Sequence, residues 1–445
     1  MIIGNTLCLA IILIPGLLPV IAGKRAKGAS IVGSAVGVVL AVTIYFFKPA
    51  TGLFFVQTST AVFIAMTESV YFLSTLYSIR YLKAVESWGI SEYTYYSLLG
   101  LFNSAMVFSL GINNYGLMWV GIEATTIASA LLLMTEKTDT SLEATWRYIV
   151  IASAGVAFAF ISVILIYYAI GTLTVSVAIN SGIHSKIMIV AVALALVGFG
   201  TKVGVFPVHT WLPDAHSEAP SPVSAMLSGV LLPTALYVLY RVYEIEPLEN
   251  LYVWFAVISI AAASLFMTYQ VRYKRMFAYS TMENMNLALL GFAVGGTLGL
   301  TGALLLLVSH SFGKAGAFYS SGNILRTMKT KMIDDVGGMS RSMPYTSTSL
   351  LLSSLAVTGT PPFGTFFGEL LILTAVFLQH LYTQFIIVII FLVAAFVSVN
   401  YNVTGMVFGD GSGQPETDRL MEVLPIVSSV LALLIGIVYL VVFFT

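Results

Sequence analysis

The stretch that decides the fold is GFGTKVGVFPVHTWLPDAHSEAPSPVSA, residues 198–225, in which an apolar run holds one lysine and is then interrupted. Gly198, Gly204 and Pro207 surround Lys202, and glycine and proline both disfavour a continuous helix. Non-helical backbone at membrane depth persists only where protein or water satisfies its polar groups. The stretch therefore predicts a broken membrane helix that other helices shelter and that carries an ionisable group.

The composition of the whole chain also indicates a membrane protein. Of the 445 residues, 58% are hydrophobic and 9% are charged, and the mean hydropathy is +0.95. The net charge of zero argues against a nucleic-acid partner. The single cysteine, Cys8, excludes internal disulfides and iron–sulfur ligation by this chain. We therefore expect no cofactor in the chain and the lipid bilayer as its surroundings.

Fourteen apolar runs are long enough to cross about 30 Å of hydrocarbon, which takes about 20 residues each. They cover residues 2–22, 29–47, 54–79, 94–111, 113–134, 147–170, 186–213, 222–243, 250–271, 277–295, 298–325, 345–379, 383–408 and 423–444. Fifteen of the 20 Lys and Arg residues fall in the loops after odd-numbered spans or at the edges of those loops, and only Lys48, Lys186 and Arg241 fall in or at the edges of the loops after even-numbered spans. Since cytoplasmic loops are rich in Lys and Arg, we expect a plasma-membrane protein with both termini extracytoplasmic.

The two remaining lysines belong to a set of ionisable residues inside the predicted spans. The set is Glu68 in span 3, Glu123 in span 5, Lys202 in span 7, His310 and Lys314 in span 11, and Glu369 in span 12. On membrane-insertion scales, placing a charged side chain near the bilayer centre costs about 2.5–3.5 kcal/mol, so each of these residues is a functional candidate. Glu123 and Lys202 carry opposite charges, and separating such a pair changes the protonation of both. His310 and Lys314 are four residues apart on one helix face, where they can exchange a proton.

Each of these candidates also has a structural interpretation. Glu123 and Lys202 fit a static ion pair, and His310 fits a satisfied core histidine. Glu369 fits a carboxylate that caps the second half of a broken helix. Glu68, which lies outside the predicted repeats, fits a simple hydrogen bond to a neighbouring helix as well as it fits a function.

Two further residues form a second group of candidates. His216 lies with Asp214 and Glu218 at the predicted cytoplasmic end of span 7, where loop and cap positions fit better than proton uptake. Glu283, a little over one turn into predicted span 10, fits either interpretation.

A second interruption predicts internal symmetry. In span 12, TGTPPFGTFFGE places Gly359, Pro361 and Pro362 just before Glu369. Interrupted helices five spans apart, each beside an ionisable residue, are typical of an inverted repeat, here spans 4–8 and 9–13. We predict an all-α integral membrane protein with discontinuous helices 7 and 12. Its parts are residues 1–92 with three N-terminal spans, 93–244 and 245–409 with the two repeats, and 410–445 with the last span.

Four motifs resemble those of one family. They are KVGVFPVHTWLPDAHSEAPSPVSA from Lys202, KRMFAYSTMENM at 274–285, HSFGKAGAFYSSGNI at 310–324 and GTPPFGTFFGELLIL at 359–373. They resemble the proton-translocating antiporter-like subunits of respiratory complex I, multi-subunit sodium/proton antiporters and group 4 membrane-bound hydrogenases, over about residues 50–410. LEATWRYIVIASAGVAFA at 142–159 and MEN at 282–284 look most like the hydrogenase-4 component F type.

The resemblance implies an ion-translocating subunit, for protons or sodium ions, in a redox-driven membrane complex. Glu123 and Lys202 match the family's central ion pair, His310 and Lys314 its relay, and Glu369 its exit residue. The resemblance also implies further antiporter-like and other membrane subunits as partners, and a peripheral redox module that holds iron–sulfur or nickel–iron centres. The alternatives are a subunit of a sodium/proton antiporter without a redox partner and a stand-alone secondary transporter.

The chain departs from the family pattern in the eighth span. Many relatives have a lysine where this chain has Pro233, and others a histidine near the position of Ser228. The route between Lys202 and Lys314 therefore stays open at this point, with water, serines or His310 as the alternatives.

Overall fold

The computed structural model describes residues 2–84, 88–411, 415–416 and 418–444, and every regular element in these ranges is a helix. The helices are α1 Ile2–Ala22, α2 Ala26–Phe46, α3 Thr58–Tyr81, α4 Glu92–Gly111, α5 Tyr115–Leu133, α6 Asp139–Ile170, α7 Val175–Ala178, α8 Lys186–Val203, α9 Trp211–Glu218, α10 Ser221–Met226, α11 Leu232–Tyr243, α12 Glu249–Thr268, α13 Tyr273–Val294, α14 Gly296–Met328, α15 Met339–Ser342, α16 Pro344–Val357, α17 Gly364–Leu378, α18 Tyr382–Phe408 and α19 Arg419–Phe444. A π-helical turn, Leu227–Leu231, joins α10 to α11. The prediction of an all-α protein is confirmed.

Ten helical segments in the described part of the chain are long and apolar enough to cross a membrane. The first of them, Ile3–Phe46, contains both α1 and α2 and so accounts for two predicted spans. Gly364–Leu378 is a further apolar helix but a shorter one. The chain is therefore a multi-pass membrane protein.

Several helices begin earlier than the apolar runs predicted. Predicted span 6 starts at 147, but α6 starts at Asp139 because Thr138 and Ser141 form a capping box there. Predicted span 10 starts at 277, but α13 starts at Tyr273. The prediction that Glu283 lies little more than one turn into its span is therefore wrong: it lies in the middle of α13 and is buried.

Both predicted interruptions are confirmed. α8 ends at Val203, Gly204 adopts a φ of +88°, and the helix resumes as α9 at Trp211. α16 ends at Val357, Gly359 adopts a φ of +62°, and the helix resumes as α17 at Gly364. A φ in this range is open to glycine at no steric cost, which explains why glycine occupies both positions. The Phe206–Pro207 and Pro361–Pro362 peptide bonds are cis.

The chain forms two compact units. The first consists of Met1–Leu76, Glu86–Trp211 and Val230–Leu251, and the second of Tyr77–Val85, Leu212–Gly229 and Tyr252–Thr445. In the first unit α1 packs on α2 and α4, α5 packs on α4 and α6, and α8 packs on α6 and α11. In the second unit α14 lies at the centre and contacts α13, α16, α17 and α19. Each unit therefore buries one of the two intramembrane lysines.

Candidate functional site

Lys202 is buried in the last turn of α8, directly before the break in that helix. Its Nζ donates hydrogen bonds to Thr126 Oγ1 at 2.7 Å and to Tyr148 OH at 2.6 Å. The ammonium also lies 4.7 Å from the ring centroid of Tyr148 and 5.8 Å from that of Trp211. Two hydroxyls and two aromatic faces therefore surround the positive charge.

Close packing of α6 against α8 brings Tyr148 to Lys202. A Cβ at Gly198 would overlap the backbone of Ala159, so only glycine permits this approach. On the far side of the break, Trp211 Nε1 donates to the carbonyl oxygen of Thr201 at 2.8 Å, and its ring packs 4.6 Å from that of Tyr148. The broken helix is thus fixed on both sides of the lysine.

Glu123 lies near Lys202 without forming the predicted direct pair. Its carboxylate acts electrostatically on Lys202, but among the described residues no ion pair joins the two, and its Oε2 is buried with no hydrogen-bond partner. Of the two hydroxyl groups that Lys202 contacts, that of Thr126 lies on the same helix as Glu123, one turn further along α5. A static ion pair is therefore not the arrangement in this unit.

In the second unit, Lys314 occupies a different environment. It lies in the middle of α14, is fully buried, and donates from Nζ to the carbonyl oxygen of Phe277 at 2.8 Å. The ammonium is 5.6 Å from the Phe277 ring centroid. The same carbonyl accepts a hydrogen bond from Thr281 Oγ1 at 2.9 Å, and Thr281 in turn contacts Ser228 Oγ at 2.6 Å. Hydroxyls thus lead from Ser228 to the carbonyl that holds Lys314.

Glu283 connects Lys314 to the second helix break. Its carboxylate acts electrostatically on Lys314 and accepts a hydrogen bond from Asn284 Nδ2 at 2.6 Å. The same amide donates to the carbonyl oxygen of Val357 at 3.0 Å, which is the last residue of α16 before the break. Glu283 is therefore part of the buried polar site, a role that its predicted place near a helix end did not suggest.

The two histidines lie near Lys314 but neither forms a hydrogen bond to it. His310, one turn before Lys314, is fully buried, and neither ring nitrogen has a hydrogen-bond partner in the described structure. The expectation that His216 lies in a loop or cap is wrong, because the chain resumes a helix after the break and buries His216 within α9. Its ring lies 5.7 Å from that of Phe318, and the charge of Lys314 acts on it.

Glu369 is half-buried in the second turn of α17, with its carboxylate against the break. A Cβ at Gly359 would overlap both carboxylate oxygens, so the glycine makes the space that they occupy. The N-cap of α17 is Phe363, and Glu369 therefore does not cap the helix as its structural interpretation required. Glu283 acts electrostatically on Glu369, which links the break to the Lys314 site.

Sequence reasoning did not identify Tyr148, Thr126 or Asn284, although each contacts or orients a charged group. Tyr148 stands inside a quoted motif, LEATWRYIVIASAGVAFA, and that position is its only sequence signal. Among the described residues, no three His, Cys, Asp or Glu side chains are grouped so that they can hold a metal ion.

Known proteins share this arrangement of helices. The family described as NADH:quinone oxidoreductase/Mrp antiporter, transmembrane, matches residues 113–398, which is well over half of the chain. The chain belongs to this family. A hydrogenase-4 component F homolog of Methylacidiphilum infernorum is 35% identical over 301 residues, which cover 64% of this chain and 63% of that protein. The chain thus spans less than two thirds of the length of this curated relative.

Two solved structures have the same fold over nearly the whole chain. One is a chain of the membrane-bound sulfane sulfur reductase, an archaeal respiratory membrane complex, with a TM-score of 0.89 and 24% identity over 99% of this chain and 95% of that one. The other is a chain of the Mrp complex from Dietzia sp. DQ12-45-1b, with a TM-score of 0.87 and 18% identity over 99% and 96%. At these identities the likeness establishes the fold.

Proposed function

We propose that the chain is an antiporter-like subunit that moves protons, or sodium ions coupled to protons, in a redox-driven membrane complex. The observation that carries this proposal is a fully buried lysine in each compact unit, contacted by uncharged groups while a carboxylate acts on it from a distance. Such a lysine is not locked in an ion pair, and a change in the nearby carboxylate shifts the balance between its charged and neutral forms.

Lys202 is suited to reversible protonation by the groups that hold it. A hydroxyl both donates and accepts, so Tyr148 and Thr126 accept from the ammonium and can turn to donate to the neutral amine. The nitrogen of Lys202 therefore keeps hydrogen-bond partners in both forms. In this proposal, movement or protonation of Glu123 sets which form is favoured.

In the second unit, the proposed relay consists of Lys314, His310, Glu283 and Glu369. Glu283 acts on both Lys314 and Glu369, so a proton that arrives at one group changes the charge seen by the other. His310 offers two ring nitrogens that make no hydrogen bond in the described structure. Glu369, half-buried beside the break, is the proposed point of release, and the hydroxyls of Ser228 and Thr281 are the proposed approach to Lys314.

The partners follow from the same proposal. We expect other membrane subunits, including further antiporter-like ones, and a peripheral redox module with iron–sulfur or nickel–iron centres. The likeness to a hydrogenase-4 component supports this assembly. We further propose that the assembly lies in the plasma membrane with both termini of this chain extracytoplasmic, which the distribution of Lys and Arg supports.

The test uses the native assembly reconstituted in vesicles, with ion uptake measured alongside redox turnover. Lys202→Ala should abolish uptake because it removes the group that carries the proton. Lys186→Ala is the matched control, since Lys186 is an exposed lysine at the other end of the same helix and should leave uptake unchanged. Unchanged uptake in Lys202→Ala would refute the proposal. Uptake that needs no redox turnover would favour the sodium/proton antiporter instead.

A further inference from the structure

Glu68 is a buried carboxyl group that neither lysine site uses. It lies in the middle of α3 and has no exposed surface. Asn103 of α4 donates from Nδ2 to Glu68 Oε1 at 2.8 Å, whereas Glu68 Oε2 has no hydrogen-bond partner. Within the described residues, no charged side chain acts on this carboxyl group. Glu68 therefore has one amide hydrogen bond and no countercharge.

Glu68 and Asn103 together have buried acceptor atoms that no hydrogen-bond donor satisfies. Besides Glu68 Oε2, the amide oxygen Oδ1 of Asn103 is buried and has no partner. An ionised carboxylate offers only acceptors, and a buried charge without a partner is strongly unfavourable. A proton on the carboxyl group converts one acceptor into an O–H donor and removes the charge at the same time. The surroundings thus fit a protonated Glu68.

The neighbouring helices leave a recess for this carboxyl group. A Cβ at Gly37 of α2 would overlap the carboxyl group of Glu68, and it would lie 3.2 Å from Pro15 Cγ of α1. Only glycine at position 37 leaves the space that the carboxyl group fills. Three helices, α1, α2 and α4, therefore enclose the side chain that α3 presents.

A row of hydroxyl groups continues from Glu68 along the same face of α3. Tyr71 and Thr75 follow at spacings of three and seven residues, both fully buried. Tyr71 is the titratable group that faces Glu68, and its OH lies 3.1 Å from Ser30 Oγ of α2. Because hydroxyls both donate and accept, such a row can pass a proton to and from a buried acid. A carboxyl group that served packing alone would need no such row.

We propose that Glu68 is a further proton-binding site of this chain, formed by the N-terminal helices and sharing no residue with the Lys202 site. The carboxylate takes up a proton that reaches it along the hydroxyl row, and the acid returns that proton to water by the same groups. No other reactant is involved. This site goes beyond the proposed function, in which Glu68 has no role.

Infrared difference spectroscopy of the assembled complex in membranes tests the protonation directly. The C=O band of a protonated carboxyl group that titrates away at alkaline pH should be present in the wild type and absent in Glu68→Gln. Glu68→Asp should keep a shifted band. Identical spectra for the wild type and Glu68→Gln, or a Glu68 band that never titrates, would overturn the proposal. Because the band does not depend on Lys202, it should persist in Lys202→Ala even if the proposed function fails.

Ion uptake by the reconstituted complex supplies the second readout. Gly37→Ala should displace the carboxyl group and reduce uptake as much as Glu68→Gln does. Gly28→Ala, on the same helix, is the matched control, since a Cβ there meets no atom within 4 Å. Wild-type uptake in both Glu68→Gln and Gly37→Ala would contradict a transport role. If the wild-type complex retains radioactive sodium and Glu68→Gln does not, the ion bound at Glu68 is sodium and not a proton.

Discussion

Replacing Tyr148 by Phe tests the Lys202 site with the smallest change that the structure offers. The substitution removes one oxygen, which lies 2.6 Å from Lys202 Nζ, and keeps the ring whose centroid is 4.7 Å from that atom. The removed hydroxyl also contacts Ser129 Oγ at 2.7 Å, so one neutral hydrogen bond is lost as well. The bond to Thr126 remains.

The expected magnitude follows from the lost hydrogen bond to the charged group. Such a bond contributes about 1.5–3 kcal/mol, and about 1.4 kcal/mol corresponds to a factor of ten in an equilibrium. The neutral amine loses a neutral hydrogen bond to the same hydroxyl, which contributes about 0.5–1.5 kcal/mol. The charged form of Lys202 is therefore disfavoured relative to the neutral form by about one order of magnitude in Tyr148→Phe. Since Thr126 and both aromatic faces still hold the ammonium, we expect ion uptake per redox turnover to fall strongly without reaching the complete loss in Lys202→Ala.

A double-mutant cycle separates this effect from a folding defect. If Tyr148 acts through Lys202, then Tyr148→Phe should lower uptake without lowering the amount of assembled complex. In a Lys202→Ala background, where uptake is already lost, it should likewise leave the amount of assembled complex unchanged. Tyr167→Phe is the matched control, since Tyr167 is an exposed tyrosine on the same helix. Wild-type uptake in Tyr148→Phe would refute the reasoning, and so would an equal loss of assembled complex in both backgrounds.

Two further substitutions test the second helix break and the ion pairs of Glu218. Gly359→Ala should lower ion uptake to the level of Glu369→Gln, because the added Cβ overlaps the Glu369 carboxylate. Gly405→Ala is the control and should behave as wild type, because a Cβ there meets no atom within 4 Å. Equal uptake in all three variants would contradict the proposed role of Glu369 in proton release. Glu218→Gln should lower the free energy of unfolding by about 1–3 kcal/mol, because this buried carboxylate holds two cationic side chains near the start of α13 and the end of α14. Thermal unfolding in detergent measures this change, and Glu143→Gln, which removes an exposed ion pair, should shift it by less than about 1 kcal/mol.

Local chemistry made the helix breaks predictable. Gly204, Pro207 and Gly359 act on the backbone at their own positions, and the sequence around each therefore indicates an interruption. The buried partners of the charges could not be found in this way. Thr126 and Tyr148 lie 76 and 54 residues from Lys202 along the chain, and no spacing rule connects side chains that meet only through helix packing.

The errors at His216 and Glu283 have a related cause. Hydropathy places the end of a span where polar residues begin, and it therefore treats a polar residue as a sign of the membrane surface. Tertiary packing can instead bury a polar residue inside a helix where other groups satisfy it, as Asn284 does for Glu283. The proposed sites lie in polar stretches within helices, and hydropathy therefore misplaces the residues that the proposed function needs.

The two lysines differ in a way that assigns a distinct role to His310. In the predicted repeat, Glu123 and Glu283 both lie in the second span of their halves, and each acts on a buried lysine. Lys202, however, contacts hydroxyls, which can satisfy its charged and neutral forms alike. Lys314 contacts a backbone carbonyl, which accepts from the ammonium but cannot donate to the amine. When Lys314 loses its proton, the amine can still donate to this carbonyl, but its lone pair has no donor there. His310 one turn away has ring nitrogens that make no hydrogen bond in the described structure. We therefore propose that proton exchange at Lys314 passes through His310, whereas exchange at Lys202 passes through the hydroxyls that hold it.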